Sequence, residues 1–198
     1  MDWPQLRAAV AGCARCNGCR ERAAAVHGSG DRAAQWMVVA GAPTLADESE
    51  GRLFAGDAGK LLANMLLAIG LAPDQNVYFS SLVRCRALDS DGLERAPTVQ
   101  EAAACRPYLE RELVLTKALV ILAAGPAAAN GLLSKVALAP LAPLAVARGT
   151  LHRVGSAALV ATHHPADLLR QGLDKAAAWA DLCLAKTVLA KTVHATAG

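Results

Sequence analysis

The chain has 198 residues, is 54% hydrophobic but only 4% aromatic, and carries a formal net charge of +3. That length suits a single domain, and at this size roughly 70% of the unfolded surface is buried, so no metal is needed for bulk stability. The mild charge permits nucleic-acid binding without arguing for it, because local clustering of cations matters more. No uninterrupted apolar run reaches the roughly 20 residues of a membrane span. The start, Met1-Asp2-Trp3-Pro4, is acidic and lacks the layout of a signal peptide. These features predict a cytoplasmic protein with no membrane partner. In that compartment six cysteines read as metal ligands or plain thiols rather than disulfides.

In chain order, Trp36 to Ala40 is a buried-strand pattern followed by a Gly/Pro loop. Leu61, Leu62, Met65, Leu66 and Ile69 then recur at helical spacing, with Gly70 where a helix ends. Val77 to Ser81 is a second strand. Thr98, three residues before Glu101, has the spacing of a capping box opening a helix. Leu119 to Leu122 is a third strand, and a helix is expected from Gly125 to Leu133. The stretch from Ala137 to Gly149, with two prolines, reads as a loop. Ala158 to Thr162 is a fourth strand, and a closing helix is expected from Lys175 to about Leu189. Strands alternating with helices imply an α/β fold whose parallel strands are covered on both faces. A single domain is expected over residues 1–190, with a flexible tail over 191–198. Ligands bind such sheets at the carboxyl ends of the strands. Gly41-Ala42-Pro43, Ser81 to Cys85 and His163-His164-Pro165 all follow strand ends, so the informative residues converge on one edge.

Cys13-x-x-Cys16 on one turn, with Cys85 and Cys105 brought in by folding, is how thiolates gather around one metal or one cluster. Cys19 adds a third thiol to the first group. Zinc and iron–sulfur are not separable by spacing alone. Cys183, between two leucines, reads as a packed residue. Gly56-x-x-Gly59-Lys60 lacks the four-residue gap and the Ser/Thr of a phosphate loop and is set aside. Asp47, Glu48 and Glu50 form either a solvated acidic turn or part of a site. Arg84, Arg86, Arg106, Arg148, Arg153 and Arg170 are expected as a basic rim suited to phosphates.

These motifs together resemble the iron–sulfur (family 4) uracil-DNA glycosylases, over nearly the whole chain from about Leu6 to Leu189. The resemblance rests on Cys13-x-x-Cys16, Gly51-Arg-Leu-Phe54-Ala-Gly56-Asp-Ala-Gly59, Val83-Arg-Cys85-Arg, Ala104-Cys105-Arg-Pro-Tyr-Leu, Arg148-Gly149 and Thr162-His-His164-Pro-Ala-Asp-Leu-Leu-Arg170. It implies a three-layer α/β/α sandwich with a four-stranded parallel sheet. It also implies a four-iron–four-sulfur cluster on Cys13, Cys16, Cys85 and Cys105. DNA is the implied partner, bound by a monomer. Such enzymes flip the nucleotide out of the duplex. By resemblance Gly41, Ala42, Phe54 and Ser81 bind the base, with Phe54 stacking on it. His164 stabilises charge on the departing uracil, while Arg148, Pro165 and Arg170 hold DNA.

The chain departs from the family pattern at telling positions. Gly41 replaces a water-positioning glutamate, and Ser81 replaces an asparagine that reads the uracil edge with two opposed hydrogen bonds. A serine hydroxyl is shorter and offers a single donor. His163 stands for a tyrosine, Leu53 for a proline, and the stretch from Cys85 to Cys105 is a few residues longer. One reading is a glycosylase of weakened or altered base specificity, with Asp47 or Glu48 orienting water. The other is an iron–sulfur paralogue that grips DNA without hydrolysis.

Overall fold

The computed structural model describes residues 1–16, 24–133 and 143–196; Cys19 and residues 137–142 of the expected loop lie outside them. Its sheet has six strands: β1 (Ser29–Gly30), β2 (Trp36–Ala40), β3 (Val77–Ser81), β4 (Val120–Ala124), β5 (His152–Val154) and β6 (Ala157–Thr162). Their order is β1-β3-β2-β4-β6-β5. The middle four are parallel, as expected, with Ala40 opposite Ser81 and Ala124 opposite Thr162. Two antiparallel edge strands are additions to the expected four. At two and three residues they are too short to leave a periodic signal.

Every residue of β2, β4 and β6 is buried, the mark of strands covered on both faces. Alternate side chains therefore feed two cores. On one face Met37, Val39, Tyr78, Ile121 and Leu159 pack under α1 (Trp3–Ala11), α4 (Val99–Thr116) and α5 (Pro126–Leu133). On the other, Trp36, Val38, Leu122 and Val160 pack under α3 (Gly56–Ala68) and α8 (Lys175–Thr196). The described residues also form the short helices α2 (Leu45–Glu50), α6 (Leu144–Ala147) and α7 (Pro165–Arg170), and a 3-10 turn at Gly172–Asp174. The expected box at the start of α4 is present. Thr98 Oγ1 accepts the Glu101 N–H at 3.2 Å, and Glu101 accepts the Thr98 N–H at 2.7 Å. Some boundaries move: β4 runs on to Ala124, α6 lies inside the expected loop, and α8 continues past Leu189 to Thr196. Among the described residues no helix is long and apolar enough to cross a membrane.

Arg84 corrects the expected basic rim. It is 1% exposed and pairs with Glu112 of α4 at 2.7 Å. Ser80 donates to the same carboxylate and accepts from Arg84 at 3.2 Å, while the Tyr78 hydroxyl donates to it at 3.2 Å. Burial, followed by the charge of Glu112, pushes the Tyr78 phenol far above its ordinary range. A buried pair is costly to break because the survivor is left uncompensated. Glu112→Gln is expected to lower unfolding stability by about 3 kcal/mol, read from the denaturant midpoint. An unchanged midpoint would show that Arg84 finds another counter-charge.

Candidate active site

Phe54 is held in an uncommon backbone conformation, with φ +54°. For a bulky side chain that costs about 1–3 kcal/mol and persists only where its surroundings impose it. Here they do. Asp47, nearly fully buried, accepts the Ala55 N–H at 2.7 Å through Oδ1 and the Thr44 N–H at 2.9 Å through Oδ2. One carboxylate thus closes the loop running from the end of β2 through α2 to Phe54. Gly59 supplies the other constraint: a Cβ there would stand 1.7 Å from the Phe54 carbonyl oxygen. The spacing Phe54-Ala-Gly-Asp-Ala-Gly59 is the sequence trace of this close approach.

The Phe54 ring stacks against His164, with centroids 5.7 Å apart and planes 23° apart, and tilts against Phe79 at 5.6 Å. His164 follows β6 and caps α7. Its Nδ1 accepts the Ala166 N–H at 3.2 Å. That bond commits the Nδ1 lone pair, so the neutral ring carries its proton on Nε2 and offers it as a donor. Burial lowers the His164 pKa, opposed by the negative charges of Asp167 and Asp47. The imidazole is therefore neutral where an ordinary histidine would begin to charge. His163, beside it, has Nδ1 3.6 Å from Asp174 Oδ2. Its Nε2 and the Thr162 hydroxyl are buried with no hydrogen-bond partner among the described residues.

The first turn of α5 lies between His164 and the loop after β2. The Gly125 N–H donates to Thr162 O at 2.8 Å, and a Cβ on Gly125 would come within 3.2 Å of the His164 Cβ. A Cβ on Gly41 would meet the Ala127 Cβ at 2.8 Å. Position 41 is therefore closed to any side chain unless Ala127 moves. Ser81, fully buried, donates its hydroxyl to the Val83 carbonyl at 2.7 Å and so has no free proton for a ligand. Ala42 follows Gly41 and packs against the α1–α4–α5 core.

The remaining candidates divide. Glu48 pairs with Arg86 at 3.3 Å, and Glu94 approaches the same guanidinium at 3.5 Å. Arg148 donates Nε to Asp181 of α8 at 2.8 Å, tying the sheet edge to that helix. Pro165 is buried at the first position of α7. Arg170 stands 74% exposed at the end of α7, with Asp167 as its neighbour. Ala127 and Phe79 line this region without having been expected. An alanine in an alanine-rich chain and an aromatic in a strand carry no signal until the fold places them.

Two of the thiols lie in the core of the opposite face. Cys13 and Cys105 share the core layer under α1 and α4, and Cys13 meets Tyr108, one turn beyond Cys105. Cys85 is buried and Cys16 half-buried; none of the four is in a disulfide. Among the described residues no three His, Cys, Asp or Glu side chains are drawn together closely enough to hold a metal ion. Thiols are the donor type that suits an iron–sulfur cluster or zinc.

Residues 27–184 match the model of the uracil DNA glycosylase superfamily. The chain is 35% identical over 133 residues to the type-4 uracil-DNA glycosylase of Sulfurisphaera tokodaii, a match spanning 67% of this chain and 58% of that protein. It is 30% identical over 175 residues to the type-4 uracil-DNA glycosylase of Pyrobaculum aerophilum, covering 86% of each. To the type-4 uracil-DNA glycosylase of Archaeoglobus fulgidus it is 29% identical over 164 residues, covering 81% of this chain and 79% of that one.

Proposed function

The chain belongs to the uracil DNA glycosylase superfamily, and from that membership we propose that it is a DNA repair N-glycosylase acting on uracil or another deaminated base. The observation carrying this reading is the Phe54–His164 pair at the carboxyl edge of the sheet, one ring to stack and one to donate. A nucleotide flipped from the duplex stacks its base on Phe54. The C1′–N bond breaks with its electron pair passing to the base, and the Nε2–H of His164 stabilises the charge growing on the base oxygen. Water adds its oxygen to C1′, and its proton passes through solvent to the departing base anion, leaving neutral base and an abasic site. Asp47 serves by holding Phe54 in place, and its charge is felt at His164. Release of free uracil from a labelled oligonucleotide, leaving an abasic site, tests this directly.

The pocket supports weak or altered specificity, because Ser81 spends its hydroxyl on Val83 and position 41 has no room for an acid. The same two features favour the second reading, a paralogue that binds DNA without hydrolysis. The two separate on whether any deaminated base is released.

Cys13, Cys16, Cys85 and Cys105 are the residues that would hold a four-iron–four-sulfur cluster, which would cross-link the N-terminal segment, the turn after β3 and α4. Anaerobically purified protein is expected to be brown and to contain iron and sulfide, and Cys85→Ser to bleach it. Stoichiometric zinc without iron would contradict this. DNA is gripped in part through Arg170 on α7. Arg170→Ala is expected to weaken binding to all sequences alike and to reduce the slope of log K against log salt by about 0.9. An unchanged slope would remove Arg170 from the interface. We place this activity in the cytoplasm and in a monomer, one domain over residues 1–190.

A further inference from the structure

A second concavity of about 230 Å³ opens on the face of the sheet turned away from Phe54. Successive strand residues point to opposite faces. Phe79 meets Phe54, whereas Tyr78 belongs to the core under α1 and α4. The pocket lies between α1, α4 and β1, and is lined by Trp3, Arg7, His27, Arg32, Tyr78 and Glu112.

Its walls are built. Trp3 packs on Tyr78 with ring centroids 5.2 Å apart, and the Arg32 guanidinium lies 5.4 Å above the Trp3 ring. Gly28 presses so closely that a Cβ would meet both the Tyr78 hydroxyl and Glu112 Oε1 at 2.4 Å. The charge is one-sided. Glu112 is already neutralised by Arg84 at 2.7 Å, while neither Arg7 nor Arg32 has a carboxylate partner among the described residues. Glu112 Oε1 accepts from the Tyr78 hydroxyl at 3.2 Å and keeps lone-pair capacity for a further N–H. Two guanidiniums without a carboxylate partner among the described residues, an aromatic wall and one hydrogen-bond acceptor on the floor match three parts of one ligand: a phosphate, a flat heterocycle and a ring N–H.

We propose that this pocket binds a phosphorylated nucleotide, its phosphate on Arg7 and Arg32 and its base against Trp3 and Tyr78. Two sources share that chemistry, a free nucleoside monophosphate and the phosphorylated end of a DNA strand. The test is a titration of the full-length protein, followed by tryptophan fluorescence, with deoxyadenosine monophosphate, deoxyadenosine, and a short single-stranded oligonucleotide with and without a 5′-phosphate. Phosphorylated probes are expected to bind, and their unphosphorylated counterparts to bind at least about tenfold more weakly. Arg7→Ala and Arg32→Ala are expected to weaken the phosphorylated probes by a similar factor. Both side chains are exposed, and circular dichroism checks that the variants are folded. Tighter binding of the phosphorylated oligonucleotide identifies a strand end, and tighter binding of the monophosphate identifies the free nucleotide. Equal binding with and without phosphate, or folded variants that titrate like the parent, would overturn the proposal.

Discussion

His164→Ala is expected to reduce base release by about a hundredfold or more, the loss typical of a preorganised donor to a developing oxyanion. The effect should fall on the chemical step, with DNA affinity little changed, because the Nε2–H acts on charge that grows only as the bond breaks. The pH profile follows from the same geometry. The buried neutral ring has a lowered pKa, so the donor stays in its neutral form as pH falls below the ordinary histidine value of 6.5. Activity should therefore hold through that value and decline only as pH falls through the lower folded one. Stability changes in the same direction. The unfolded chain takes up the proton first, so the ring's protonation destabilises the fold progressively from pH 6.5 downward until the folded pKa is passed. A profile already falling above that window, or robust release by His164→Ala, would show that another group carries the charge.

The second large effect concerns position 41. Gly41→Glu alone is expected to destabilise the fold and to leave uracil release no faster, because its Cβ would stand 2.8 Å from that of Ala127. Ala127→Gly removes the obstacle. Ser81→Asn supplies an amide in place of a hydroxyl already bonded to Val83. The triple variant Gly41→Glu, Ser81→Asn, Ala127→Gly is expected to release uracil about a hundredfold faster than the wild type, a typical contribution of a positioned acid or base. The same variant should discriminate more sharply for uracil, since a site made to hydrogen-bond a base rejects bases lacking the partner groups. If Gly41→Glu with Ser81→Asn matches the triple variant, Ala127 is not the obstacle. If the triple variant folds and binds DNA but stays slow, the pocket differs at further positions.

Three of the four parallel strands, β2, β4 and β6, were legible as short, almost wholly apolar runs between helical patterns, as continuous as burial on both faces requires, while Val77–Ser81 was marked by β-branched and aromatic residues at its start. The edge strands were not. Ser29–Gly30 and His152–Val154 are held by pairing with Phe79, Tyr78 and β6, and pairing is invisible in a single sequence. The convergence of Gly41, Ser81 and His164 on one sheet edge followed from strand ends alone. What each residue does there did not. Asp47 and Glu48 read as a solvated acidic turn or as the source of one water-orienting acid. Only the fold shows Asp47 bonding two backbone amides and Glu48 facing Arg86. Arg84 and Arg148 looked like rim cations because charge in a sequence carries no burial. Their partners, Glu112 and Asp181, lie 28 and 33 residues away. Ala127, which decides what position 41 can hold, left no trace at all.

In the proposed function, Phe54 and His164 still perform base excision in a pocket short of two recognition groups. The most direct measurement is abasic-site formation by anaerobically purified protein on oligonucleotides containing uracil, hypoxanthine or xanthine, run beside His164→Ala. Slow release of at least one base, lost in His164→Ala, is the predicted result. No release from any of the three by wild-type protein that binds the same DNA would contradict the claim and leave a binding protein in its place.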